Sequence, residues 1–161
     1  SGVVASRAPA AIIRDPTAIQ KACSTHGSLV PLALRIPAGI IFMAHGAQKL
    51  FGWFGGYGLE GTGQWLASIG LEPGYLMALA AGSAEFFGGI ALLIGLLIRP
   101  AALALAVTML VAIFSVHVAN GLFMSNNGYE FALSLLAITV SLAISGAGRA
   151  SLDRYLTRQV Q

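Results

Sequence analysis

Four long apolar stretches, at roughly residues 29–51, 75–98, 101–123 and 129–145, occupy most of this chain. A helix needs about 20 predominantly apolar residues to cross about 30 Å of hydrocarbon, and each stretch is close to that length. In lipid a backbone must satisfy its own polar groups, which leaves helices and closed barrels; no alternation of apolar and polar residues supports a barrel. The chain therefore reads as all-α, an integral membrane four-helix bundle with antiparallel, up-down topology. Only 9% of the residues are charged and 57% are hydrophobic, and the mean hydropathy is +0.80. A water-soluble domain of this size could not cover itself with so little polar surface.

The connections differ in character. Residues 52–74 are rich in glycine and aromatics, and the part from Glu60 to Ile69 spaces Trp65, Leu66 and Ile69 along one helical face, which predicts a short helix lying at the interface. Arg99-Pro100 predicts a sharp turn, because proline starts a helix well and disfavours helix in the residue before it. Ser125-Asn-Asn-Gly128 has the composition of a turn. Residues 1–28 form a polar N-terminal tail without a continuous apolar core, with a short helix expected from residue 16 or 17 to about 23, capped by Asp15. Residues 149–161 form a C-terminal tail after the transmembrane domain of residues 29–148.

Basic residues set the expected orientation. Arg7, Arg14 and Lys21 precede the first span, Arg99 lies between the second and third, and Arg149, Arg154 and Arg158 follow the fourth, whereas Lys49 alone stands at the other side. The positive-inside rule then places both termini and the Arg99 turn in the cytoplasm. Trp53, Phe54, Tyr57, Trp65, Tyr75, Phe123 and Tyr129 gather at the opposite interface, where an aromatic belt belongs. The expected location is the cytoplasmic (inner) membrane of a prokaryote, crossed several times, with membrane lipid as the surrounding partner.

Within the apolar stretches stand Arg35, His45, Glu85, His117 and Glu130, groups that a lipid-facing position would not tolerate. Counting about 1.5 Å of rise per residue puts Arg35 in the inner half, Glu85 near the midplane, and His45, His117, Asn120 and Glu130 in the outer half, with Lys49 at the outer boundary. His45 and Lys49 share a helix face at i and i+4, with Phe42 close by. Ala81, Glu85, Gly88 and Gly89 form a small-residue stripe that turns the carboxylate towards a neighbouring helix. An unpaired charge at the bilayer centre costs about 3 kcal/mol, so Glu85 calls for a cation. Arg35 from below, in a structural pair with Glu85, and Lys49 or His45 from above are the candidates. His45, Lys49, Glu85, His117 and Glu130 together make a candidate polar site in the outer half.

Other chemistries find less support. One cysteine, Cys23, cannot form an intrachain disulfide or a thiolate cluster. Two intramembrane histidines without cysteine or a His-x3-His repeat do not make a metal site, and none is assigned. The net charge of +3 is scattered over segment ends, so nucleic acid is not an expected partner. Gly52, Gly55, Gly56, Gly58, Gly61 and Gly63 follow a helix and lack the Lys-Ser/Thr ending of a phosphate loop. They serve tight turns instead.

Several strings carry a family resemblance: HGAQKLFGWFGGYGLEGT from His45 to Thr62, EFFGG from Glu85, GLLIRPAA from Gly95, Val116-His117 leading to Asn120-Gly121, GYEF from Gly128, and Ser151-Leu-Asp153. Together they resemble the DoxX family of bacterial and archaeal membrane proteins, over about residues 29–156. The resemblance implies a four-helix protein of the cytoplasmic membrane associated with redox systems, among them quinone-linked oxidoreductases. It implies the fold more firmly than any one reaction.

Three functions follow as expectations. The first is a non-catalytic accessory subunit of a larger redox membrane complex, respiratory or photosynthetic, whose other membrane subunits it packs against through its glycine-rich helices. The second is a quinone-interacting oxidoreductase subunit in which His45, His117 or Glu130 bonds a quinone carbonyl and handles a proton, with Phe42, Phe51 and Trp53 flanking the ring. The third is a small proton or ion transporter using the intramembrane charges. The chain carries no flavin, haem or iron–sulfur motif, so a quinone is the one redox group expected and none is intrinsic.

Overall fold

The computed structural model describes residues 2, 17–19 and 29–160, and among them every regular element is helical. The short helix expected near residues 16–23, with its Asp15 cap, falls mostly outside the described residues. Helix α1 runs Val30–Phe51, with Pro31 in its first turn and Gly52 ending it at φ 71°. Helix α2, Gly58–Ser68, is the short helix expected in the first loop. Helix α3, Gly74–Ile94, starts after the extended Pro73 and ends at Gly95, φ 72°. Helix α4 starts as Ile98–Ala112, winds on as a π segment, Ile113–His117, and finishes in a 3-10 turn, Val118–Asn120. Helix α5 is Glu130–Ser145 and helix α6 is Leu152–Val160.

Length and hydropathy qualify Val30–Phe51, Gly74–Ile94 and Ile98–Asn120 as membrane spans, and Glu130–Ser145 is a shorter apolar helix beside them. At its 16 residues α5 is about 24 Å long, somewhat less than the hydrocarbon thickness. The outside of the bundle is apolar, as lipid requires: Phe87, Leu103, Phe114 and Ile144 are all exposed. Inside, Phe42, Leu92, Ile98, Leu105, Met109, Leu135 and Leu142 close the core.

Glycine sets how the spans meet. Helices α1 and α3 pack along most of their length, in opposite directions, because their backbones touch at small residues. A Cβ at Gly89 would lie 2.7 Å from the Gly39 carbonyl oxygen, and one at Gly82 would lie 3.1 Å from Lys49 Cβ. Gly46 sits directly against the Phe86 backbone. Gly88, on another face of α3, meets Leu105 of α4. This is the small-residue packing expected of the Glu85 stripe.

The opposite end of the bundle is tied by side chains. Asp153, at the start of α6, accepts from the backbone N–H groups of Leu97 at 2.7 Å and Ile98 at 2.9 Å. It thereby caps α4, whose own N-cap residue Leu97 is left-handed at φ 51° and offers no capping side chain. Arg99 donates to the carbonyls of Ala143 and Ile144 at the end of α5. Residues 149–161, expected as a tail, thus contain a helix whose first turn docks on the bundle.

Candidate functional site

A cavity of about 830 Å³ opens in the end of the bundle where α1 and α4 finish and α3 and α5 begin. Its walls are mostly apolar. Phe42 and Ile41 come from α1, Met77 and Ala81 from α3, Val111 and Ala112 from α4, Phe131 and Leu135 from α5, and Tyr57, Trp65 and Leu71 from the first loop and α2. Two imidazoles, an ammonium and a carboxylate enter this wall, from His45, His117, Lys49 and Glu85.

The i, i+4 relation of His45 and Lys49 brings both to the cavity side of α1, with Phe42 one turn below, as their spacing predicts. Glu85 projects from α3 and is 3% exposed. Lys49 Nζ meets Glu85 Oε2 at 2.9 Å. A buried carboxylate in an apolar bundle would be costly alone; the ammonium supplies both charge and hydrogen bond.

The Arg35–Glu85 pair expected from depth is not formed. Arg35, 1% exposed, instead donates to four backbone carbonyls, those of Leu92 at 2.8 Å, Ala147 at 2.8 Å, Ala150 at 2.9 Å and Leu93 at 3.4 Å. Its guanidinium fork thus binds the end of α3 to the segment after α5. The seam between α1 and α3 decides the partner, since Gly82 lies against Lys49 and Leu50 while Leu93 lies against Gly39.

His117 closes the π segment of α4, and its Nδ1 lies 2.9 Å from the Asn127 carbonyl oxygen. Asn120 Nδ2 donates to the same carbonyl at 3.1 Å. Asn127 is itself left-handed, at φ 56°, so the Asn-Asn-Gly turn holds the ring as well as reversing the chain. His45 Nδ1 lies 2.9 Å from the Ile41 carbonyl oxygen, and its ring stands 6.1 Å from that of Phe131. Glu130 is not part of the cavity wall; it heads α5, where its backbone N–H donates to the Leu122 carbonyl and its neighbour Phe131 reaches the cavity.

Phe51 and Trp53, expected beside a planar ligand, pack against each other with tilted rings 4.9 Å apart, away from the cavity wall, and Phe51 meets Phe86 edge-on at 5.3 Å. Tyr57 and Trp65 line the cavity instead. Ser115 and Asn127 also join the site without having been singled out. The π winding, which displaces Ser115 and His117 from ordinary helical spacing, has no proline or glycine to announce it. Among the described residues no group of three or more His, Cys, Asp or Glu stands close enough to hold a metal ion.

The DoxX family model matches residues 30–118, which include His45, Lys49, Glu85 and His117. "Putative oxidoreductase CatD" of Bacillus subtilis is 36% identical over 125 residues, covering 78% of this chain and 85% of its own. An uncharacterised protein of Haemophilus influenzae is 36% identical over 127 residues, 74% of this chain and 85% of its own. "Inner membrane protein YqjF" of Escherichia coli is 33% identical over 134 residues, 80% of this chain and 92% of its own. No solved structure matches significantly. With a family match over more than half its length and relatives of this extent, the chain belongs to the DoxX family of membrane proteins.

Proposed function

We propose that this protein is the membrane subunit of a redox system and holds a quinone in the cavity between α1, α3, α4 and α5. The observation that carries this reading is the convergence of His45, Lys49, Glu85 and His117 on one apolar-walled space in helices that otherwise carry almost no charge. Intramembrane ionisable groups mark functional sites by default, and an apolar pocket with a few convergent polar groups is the form such sites take. The protein is a multi-pass protein of the inner membrane. Its basic residues orient the cavity towards the outer side, with the Arg35 and Asp153 end in the cytoplasm.

The residues fit the group. A cavity of about 830 Å³ is of the size that encloses a ring with the start of an isoprenoid tail. Phe42, Phe131 and Trp65 offer aromatic faces and edges, and His45, His117 and the Lys49–Glu85 pair offer polar atoms for the ring oxygens. A bound quinone would supply two-electron, two-proton chemistry; the chain itself orients the ring, excludes bulk water from below and holds protons at imidazole and carboxylate. The relative named as an oxidoreductase agrees with this reading.

An accessory subunit without a ligand would share the redox partners but leave the cavity unused, so binding separates the two readings. Protein in lipid nanodiscs, titrated with a short-chain benzoquinone by equilibrium dialysis against empty nanodiscs, is expected to bind it saturably. Glu85→Gln with Lys49→Met is expected to weaken that binding about tenfold or more, the equivalent of one or two lost polar contacts. Saturable binding untouched by these changes would remove the site from the cavity, and no binding at all would leave the accessory role.

A further inference from the structure

We infer that the cavity is built for the hydroxyl form of its ligand, a quinol or other ring with phenolic hydroxyls, over the carbonyl form. The inference rests on the proposed quinone site and specifies its preferred state. A backbone carbonyl oxygen only accepts, so the ring nitrogen 2.9 Å from the Ile41 carbonyl, His45 Nδ1, carries a proton. The same holds for His117 Nδ1, 2.9 Å from the Asn127 carbonyl. In the tautomer that this bond sets, the other nitrogen, Nε2, is an acceptor, and both residues line the cavity.

Glu85 adds a third acceptor. Its Oε2 is taken by Lys49; among the described residues its Oε1 has no hydrogen-bond partner and no sealed side-chain polar atom is left without one, so Oε1 is not sealed by them. Lys49 is the opposing donor, and it does not discriminate. A phenolic oxygen accepts from an ammonium and at the same time donates its own proton, whereas a carbonyl oxygen can only accept. A quinol's two hydroxyls therefore satisfy two of these three acceptors while one of its oxygens accepts from the ammonium. A quinone sets its oxygens against acceptors, a mismatch that polar sites penalise strongly.

The test compares the two forms of one ring. Wild-type protein in nanodiscs is titrated anaerobically, by equilibrium dialysis, with a short-chain benzoquinone and separately with the same compound reduced to the quinol. The quinol is expected to bind at least about tenfold more tightly. Equal affinity, or tighter binding of the quinone, overturns the inference while leaving the quinone site standing; binding of neither form overturns the proposed function itself. His45→Phe and His117→Phe keep a ring but remove the acceptor nitrogen, and each is expected to shrink the quinol preference with elution from size exclusion unchanged. A preference that survives both changes in folded protein also counts against the inference, and if either variant fails to fold, the wild-type ratio decides alone.

Discussion

Glu85 is the residue on which the site turns, because it is nearly sealed and, among the described residues, pairs with one cation, Lys49 at 2.9 Å. Breaking a buried pair leaves a stranded charge, while removing both partners does not. Lys49→Met is therefore expected to destabilise the bundle by about 3 kcal/mol, and Lys49→Met with Glu85→Gln to recover most of that loss, as read from unfolding in detergent. Equal loss in the single and double variants would mean that the pair carries no coupling. The need of Glu85 for a cation was legible in the sequence; the identity of that cation was not. Arg35 and Lys49 both project towards α3, and counting rise along each helix does not establish the register between two helices to within a turn. That register comes from backbone contact at Gly46 and Gly89, and it delivers Arg35 to the carbonyls of Leu92 and Leu93 instead.

Between elements, that contact is the strongest constraint in the fold. Gly46 has the Phe86 backbone where a side chain would stand, so Gly46→Leu is expected to force α1 and α3 apart and cost at least about 3 kcal/mol. Ala104→Leu, on an exposed position of α4, is expected to change little. Thermal unfolding of the two variants in the same detergent separates them, and a tolerant Gly46 would contradict the packing. Three spans were readable from apolar length, the expected fourth is the shorter apolar helix α5, and α2 was readable from the spacing of Trp65, Leu66 and Ile69. Two elements were not. The π segment Ile113–His117 arises in a run without helix breakers, and α6 was obscured by its charges, since Asp153 acts on the distant backbone of Leu97 and Ile98 and leaves no local signature.

For the whole molecule, composition was sufficient to name lipid as the solvent, and the distribution of arginine predicts an orientation that labelling tests. In a Cys23→Ser background, Ser125→Cys in the turn before α5 is expected to react with a membrane-impermeant thiol reagent in intact spheroplasts. Arg149→Cys, beyond α5, is expected to react only after permeabilisation. The reverse pattern would place the cavity on the cytoplasmic side and invert the proton side of the proposed site. The cavity itself was only half visible in advance: His45, Lys49, Glu85 and His117 share depth and helix faces that sequence can suggest. The absence of Glu130 from the wall depends on how α5 is rotated, which its nearly uniform apolar sequence does not specify. The most direct measurement of the central claim is mass-spectrometric quantification of quinone extracted from the protein purified from its native membrane in mild detergent. The account expects quinone in stoichiometric amount in the wild type and its loss in folded Lys49→Met, Glu85→Gln protein; phospholipid alone in both, from well-folded samples, would contradict it.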